Sequence, residues 1–273
     1  MKTNVILKLL APLSHLSDEK TGTTSLARKM SFVCSGEVVE IPVLTGNALR
    51  GTLRRLAMED FLIKVGLDVE KISKDLYHTL FSGGALTTGS RYYEVGEIKE
   101  FRKNCPMMAL FGCALGSQMP EGKLKVGISI PICTETQEFT DVQTDLSIYD
   151  LLEENFYTRH DTSKLIKDII DYPSKKDDKV TQMKYEQEQL IAGTELKTFF
   201  VVETTSDIEK SALCALIDLF KANPFIGGKS GTGHGNILVT TDELDMDSSL
   251  YYDYLEKYKE EIVKFIRELE SNL

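Results

Sequence analysis

The chain has 273 residues, 42% of them hydrophobic, and carries a formal net charge of −10 at pH 7. Its length suits one elaborated domain or two with a large core, and the lack of any run of about 18 apolar residues excludes a predicted transmembrane helix. The net charge argues against binding to nucleic acid, but the charge is unevenly distributed. Residues 242–273 hold ten acidic and four basic side chains, whereas residues 1–60 hold six acidic and eight basic ones. A basic groove opposite an acidic face is therefore compatible with this composition.

The N-terminus and the cysteines indicate the compartment. Met1 to Val5 leads directly into a strand-like segment and lacks the architecture of a signal peptide. The five cysteines are odd in number and include no Cys-x-x-Cys pair, and the four histidines are widely separated, so neither disulfides nor a structural zinc site is expected. We expect a cytoplasmic protein with reduced thiols, no membrane contact and no metal or other cofactor.

The predicted elements alternate between strands and helices, with long segments inserted between them. Asn4 to Leu10 suits a first strand, and the polar connection from Ala11 to Glu40 is long enough to indicate a function. Thr45 is the predicted N-cap of a helix from about Asn47 to Val65. The later elements are a strand at Lys123 to Ile132, a strand at Glu195 to Thr204, a helix at Ser206 to Asn223 with a Ser206/Glu209 capping box, a strand at Ile237 to Thr241 and a C-terminal amphipathic helix with an acidic outer face.

Without the insertions, the order is strand, helix, strand, strand, helix, strand. This is the ferredoxin-like, split βαβ arrangement, an α+β fold that RNA-recognition modules also use. We assign three stretches to this core: 1–65, 123–154 and 188–273. Residues 66–122 are interpreted as an inserted subdomain of short elements and glycine turns, and 155–187 as a charged, irregular insertion. The fold hosts many functions, so the function must be argued from a site.

Residues 227–236 form the glycine-rich run Gly-Gly-Lys-Ser-Gly-Thr-Gly-His-Gly-Asn. The predicted order around it is helix, loop, strand, the reverse of the order in the phosphate-binding loop of an NTPase, and Asn223 stands where that motif needs a glycine. Five glycines and one lysine still make a flexible, cationic segment that can lie close to an anion. The alternative is a hairpin tip without a ligand.

A second candidate segment, residues 41–55, covers the start of the first predicted helix. A glycine turn there leaves free backbone N–H groups where the helix dipole favours an anion. Arg50 and Arg54 are four residues apart, so we expect them on one face, opposite most of the leucines. The alternative is an ordinary solvated arginine face.

Together these segments resemble the RAMP superfamily of CRISPR effector proteins. The motifs are Ile-Pro-x-x-Thr-Gly-Asn-Ala-Leu-Arg-Gly-x-Leu-Arg from Ile41 and Gly-Gly-Lys-Ser-Gly-x-Gly-His-Gly from Gly227. Ala-Pro-Leu-Ser-His from Ala11 and Leu-Phe-Ser-Gly-Gly from Leu80 also fit, so the resemblance extends over nearly the whole chain. It is most similar to the backbone subunit that polymerises along CRISPR RNA, and within that group to the type IV subunit.

The resemblance implies a ferredoxin-like (RRM-like) palm, a finger at 66–122 and a thumb hairpin at 155–187. It implies a non-catalytic RNA-binding subunit of an antiviral ribonucleoprotein complex, whose partners are the guide RNA, target nucleic acid, further copies of itself in a head-to-tail helical filament and other effector subunits. Met183 is a candidate apolar wedge beside a displaced base, with a buried strand methionine as the alternative. The implied RNA-binding residues are His15, Arg28, Lys29, Thr45, Asn47, Arg50, Arg54, Gln182, Met183, Gly228, Lys229, Ser230 and His234.

RNA-cleaving relatives of the type III kind use an aspartate between the first strand and the Ile-Pro motif. The corresponding stretch here, Thr23 to Phe32, contains no carboxylate, so we assign no catalytic residue and no metal. The alternative function is a metal-dependent endoribonuclease acting on guide-paired target RNA, with Asp18 as its acid. A small-molecule enzyme that uses the glycine loop is disfavoured by the order of the elements.

Overall fold

The structure is a computed structural model that describes residues 1–86, 91–160 and 182–273. Its strands are β1 (Lys2–Leu9), β2 (Leu16–Thr21), β3 (Thr24–Ala27), β4 (Lys29–Cys34), β5 (Glu37–Pro42), β6 (Leu124–Val126), β7 (Ile130–Pro131), β8 (Leu152–His160), β9 (Gln182–Leu190), β10 (Glu195–Val202) and β11 (Ile237–Thr241). Its α-helices are α1 (Gly46–Val65), α2 (Lys74–Tyr77), α3 (Val95–Asn104), α4 (Pro106–Phe111), α5 (Gln137–Thr140), α6 (Ile148–Leu151), α7 (Asp207–Ala222), α8 (Ser249–Lys257) and α9 (Lys259–Asn272).

The central sheet has the strand order β11-β1-β10-β6, and β7 also pairs with β10. Every one of these pairs is antiparallel. Since α1 separates β1 from β6 and α7 separates β10 from β11, the sheet has the βαββαβ connectivity of a ferredoxin-like fold. The predicted α+β, ferredoxin-like class is confirmed.

Helices α1 and α7 cover one face of this sheet and form the main core with it. Alternate residues of β1 are buried, as expected for a strand with one face on a core. The same hydrophobic cluster includes Leu76, Phe101 and Met107 from the segment 66–122. That segment is packed into the core of the ferredoxin-like fold, and its boundaries as a separate finger stay a prediction.

The predicted N-caps of the two long helices are present. Thr45 Oγ1 accepts from the backbone N–H of Ala48 at 3.3 Å, and Ser206 Oγ accepts from that of Glu209 at 3.4 Å. The other half of the predicted Ser206/Glu209 capping box is wrong. The Glu209 carboxylate instead accepts a hydrogen bond from Lys123 Nζ at 2.7 Å. The glutamate is only 7% exposed, and a buried carboxylate needs a counter-charge, which this lysine supplies.

The long polar connection between β1 and α1 is largely folded into strands. It contains β4 and β5, which form a hairpin, and β2 and β3, which join a second sheet in the order β2-β3-β9-β8. The interpretation of 155–187 as irregular is wrong at both ends of this range. The residues there belong to β8 and β9, which pair antiparallel from Leu152 opposite Leu190 to His160 opposite Gln182. Residues 161–181 of the predicted thumb lie outside the described residues.

The C-terminal residues form an amphipathic pair of helices, with a break at Tyr258 where a single helix is predicted. Tyr251 and Ile262 are fully buried, while Glu256, Glu260 and other acids of both helices stay exposed. The predicted acidic outer face is confirmed. Across the described ranges, no helix combines the length and apolar character that crossing a membrane requires.

Candidate nucleic-acid interface

The glycine loop, residues 227–236, is docked at both ends onto the segment that follows β1. The backbone N–H of Gly228 donates to the carbonyl of Ser14 at 2.7 Å, and that of Gly235 donates to the carbonyl of Pro12 at 2.9 Å. Between these anchors the loop makes one 3₁₀ turn, Ser230–Thr232, whose residues are exposed. The tip of the loop is therefore presented to solvent on a fixed base.

Four of the five glycines of this loop fall into two groups. Gly227 and Gly235 have φ values of 72° and 69°, and a Cβ on Gly235 would overlap the carbonyl oxygen of Ile226. The fold itself requires these two glycines. Gly231 and Gly233 are different, because a Cβ at either position would meet nothing within 4 Å among the described residues. Packing within the protein gives no reason for glycine at 231.

Lys229 extends from the loop to the base of the β8–β9 hairpin. Its Nζ lies 4.1 Å from the ring centroid of Tyr157 and 4.6 Å from that of Tyr185, and it donates to Gln187 Oε1. All three partners are neutral. No carboxylate in the described part of the chain forms an ion pair with this ammonium.

His234 fastens the end of the loop to the same hairpin. The Tyr157 hydroxyl donates to Gln189 Oε1 at 2.9 Å and lies 2.8 Å from His234 Nε2. Since that hydroxyl has one proton, the second contact requires Nε2 to donate. Burial raises the pKa of Tyr157, which keeps the phenol protonated. Gln189 in turn donates to Glu153 at 2.9 Å, so the hydrogen bonds run from the loop into β8.

The start of α1 and this loop both contact one short segment, residues 12–15. Thr45 donates its backbone N–H to His15 Nε2 at 3.5 Å, and its hydroxyl lies 3.4 Å from the same nitrogen. Burial and the charge of Arg28 lower the pKa of His15, so its imidazole is neutral at pH 7. Asn47 is exposed in the first turn of α1. The sequence-predicted residues of the helix start and of the glycine loop are thus brought together.

Arg28 and Lys29 stand near the same surface, but each has an acidic partner. Arg28 lies 3.6 Å from the exposed Asp18 carboxylate, and Lys29 Nζ lies 3.1 Å from Glu188. Their charges are at least partly compensated within the protein. Within the described ranges Lys229 has no acidic partner of this kind, which makes it the stronger candidate for an anion contact.

Arg50 and Arg54 do not lie on an open helix face, and the prediction that they stand opposite the leucines is wrong. Arg54 is 8% exposed and donates to the carbonyl of Gly112, while Arg50 donates to the carbonyl of Phe111 at 2.8 Å. Both guanidinium groups also lie over the Phe111 ring. The turn after α4 packs against this side of α1, so the two arginines hold that turn in place.

We therefore expect Arg54→Met to destabilise the fold. A buried charged hydrogen bond is lost, so the free energy of unfolding should fall by about 2–3 kcal/mol. Arg55→Met is the matched control, since Arg55 is exposed and bonds only to Thr52 in the described structure, and it should change stability by less than about 0.5 kcal/mol. Urea unfolding of both variants measures the difference, and equal losses would contradict this role for Arg54.

The β8–β9 hairpin contains both predicted and unpredicted candidate residues. The backbone of Gln182 and Met183 belongs to β9, but their side chains lie outside the described residues, so their RNA contacts stay predictions. Tyr157, Tyr185, Gln187 and Gln189 are absent from the sequence-predicted site. Their signal is the strict alternation of tyrosine and glutamine with glutamate over 185–189, which is typical of a strand with two different faces.

Comparison with known proteins supports the fold. No family model and no curated protein matches the chain. Among solved structures it is similar to a chain of a "Type IV-B CRISPR Complex", with a TM-score of 0.67 and 21% sequence identity, covering 91% of this chain and 93% of that one. The protein thus shares the fold of a chain of a type IV-B CRISPR complex, in agreement with the type IV resemblance of its motifs.

Proposed function

We propose that this chain is the guide-RNA-binding backbone subunit of a type IV CRISPR effector complex. The observation that carries the proposal is the position of Lys229 at the base of an exposed glycine loop, where no carboxylate of residues 1–86, 91–160 or 182–273 pairs with it. The shared fold and the motif resemblance support the assignment to this class of complex. In such a complex the subunit binds the guide RNA without cleaving RNA. Other effector subunits and the target nucleic acid bind to the same assembly.

The backbone around Lys229 is suited to an anion. Lys229 has left-handed φ and ψ of 59° and 27°, and Ser230 begins the right-handed 3₁₀ turn. Successive residues of opposite hand point their N–H groups into one concavity, which is a common anion site. Among the described residues, the N–H groups of Ser230 and Gly231 have no hydrogen-bond acceptor. A phosphate there would meet backbone donors and the lysine charge, and the glycine leaves room for the sugar.

Contacts of this kind recognise the RNA backbone and carry no base information. We therefore expect the chain to bind unrelated single strands with similar affinity, so that one subunit can repeat along any guide. A head-to-tail contact between copies uses two different surfaces and does not close, which produces a helical filament. Fluorescence titration with unrelated single-stranded RNAs and sedimentation of the complexes test this. Similar affinities with several copies per RNA are expected, and no binding at low salt would contradict the proposal.

Lys229→Gln should weaken RNA binding and reduce its dependence on salt. Losing one phosphate contact on a single strand should flatten the slope of log K against log salt by about 0.7. Glutamine has the same conformational cost at a positive φ and retains an amide N–H donor, so the substitution removes mainly the charge. Titrations at several salt concentrations measure the slope. Lys64→Gln is the control, because Lys64 lies in the last turn of α1, at the end away from the glycine loop, and its slope should equal that of wild type. An unchanged slope would show that this lysine contacts no phosphate.

We also expect no cleavage when the chain, a guide and a complementary RNA are incubated with Mg²⁺ or Mn²⁺. Asp18 is fully exposed and lies 3.6 Å from Arg28, and the described residues contain no group of three His, Cys, Asp or Glu side chains arranged to hold a metal. Gel analysis of the labelled target tests this. Cuts at a regular interval that disappear in Asp18→Ala but persist in Glu19→Ala would favour the endoribonuclease instead.

A further inference from the structure

We propose that Tyr157 and Tyr185 form a stacking platform for a nucleobase, which Lys229 covers in the RNA-free protein and leaves when it pairs with an RNA phosphate. The inference rests on the proposed function and adds to it a base-contacting site on the β8–β9 hairpin. The ligand is a base of single-stranded RNA whose backbone lies along the glycine loop.

The two tyrosines are built as a pair. They are direct partners across β8 and β9, and their rings are stacked, with centroids 5.3 Å apart and an interplanar angle of 15°. Tyr185 is 37% exposed, so the platform opens to solvent beside the loop. Exposed aromatic rings next to a cationic groove are the usual means of binding single strands without sequence preference, because every base has a π-face.

Lys229 is held over these rings by weak, exchangeable contacts. Its Nζ is within 5 Å of both ring centroids and bonds to a neutral amide. Ring faces attract an ammonium through their quadrupole alone, whereas a phosphate offers a full opposite charge and charge-assisted hydrogen bonds. The flexible lysine stem permits the exchange without movement of the loop backbone.

Gln187 provides a second reason to expect a base at this place. Its side chain is 1% exposed, and its Oε1 accepts the lysine proton while its Nε2 donates to Gln189 at 3.0 Å. If Lys229 leaves, this buried acceptor loses its partner, which is unfavourable. An N–H donor on the edge of a stacked base replaces the ammonium, and every nucleobase carries such a donor.

The test is photo-crosslinking of the 273-residue chain to single-stranded RNAs that carry 5-iodouridine at one position, followed by mass spectrometry. We expect the crosslink at Tyr185. Phe156 is the matched control, because it is 73% exposed on the opposite face of β8 and should not crosslink.

Variants give an independent measurement. Tyr185→Leu should weaken RNA binding about tenfold, while Tyr185→Phe and Phe156→Leu should stay within about twofold of wild type. RNA binding that is equal in Tyr185→Leu, with crosslinks only outside the hairpin, would overturn the platform and leave the proposed function standing. Absence of RNA binding by the wild type would overturn the proposed function itself. The wild-type crosslink decides the matter even if a variant fails to fold.

Discussion

Gly231→Leu is expected to lower the affinity for single-stranded RNA at least tenfold and to leave the free energy of unfolding within about 0.5 kcal/mol of wild type. In the free protein a Cβ at this position meets nothing within 4 Å among the described residues, and the position has no positive φ. In the complex it would occupy the space in which we place the RNA backbone beside Lys229. RNA titration and urea unfolding of the same preparation measure the two effects.

The control for this prediction is Gly96→Leu. Gly96 also faces open space without a positive φ, but it lies in the first turn of α3. RNA affinity should be unchanged there. Gly233 is a poorer test site, since its φ of 86° would add backbone strain to any steric effect. If Gly231→Leu bound RNA as tightly as wild type, close approach of RNA to the loop tip would be refuted.

Gly235→Ala is expected to have the opposite signature, a loss of more than about 3 kcal/mol of stability. The φ of 69° disfavours alanine, and the added methyl group overlaps the carbonyl oxygen of Ile226. The strain would also disturb two backbone hydrogen bonds, from Ile226 to the carbonyl of Gly235 and from Gly235 to that of Pro12, both 2.9 Å.

Urea unfolding of Gly235→Ala beside Gly231→Ala tests this, because the two substitutions add the same group to the same loop. A wild-type midpoint for Gly235→Ala would mean that the loop can relax around residue 235. The division of the glycines into those the fold needs and those a ligand needs would then fail.

The ferredoxin-like core was predictable because its sequence signals are local. Thr45 caps α1 through a bond three residues along the chain, and β11 occupies the predicted Ile237–Thr241. By contrast, β2 (Leu-Ser-Asp-Glu-Lys-Thr) carries mostly charged and polar side chains and gives no apolar alternation. Its strand conformation comes from pairing with β3, which is itself paired to β9.

The surroundings of the site residues also depend on contacts between segments that are distant in the sequence. The environment of Lys229 depends on Tyr157 and Tyr185, which reach it only through the pairing of β8 with β9. The orientation of Arg54 depends on the turn at Gly112 packing against α1. The spacing of residues along a helix does not show which distant segment packs against each face. An arginine that anchors a turn therefore has the same sequence pattern as an arginine that contacts RNA.

The measurement that tests the central claim most directly is the identity of the RNA that the chain retains. The chain is expressed together with a CRISPR array, purified, sized, and its bound RNA sequenced. We predict large assemblies with several copies of the chain on each RNA, and transcripts of the repeat and spacer sequences strongly enriched over total cellular RNA. Recovery of RNA-free monomer, or of RNA without enrichment of those transcripts, would contradict the assignment as a guide-RNA-binding backbone subunit.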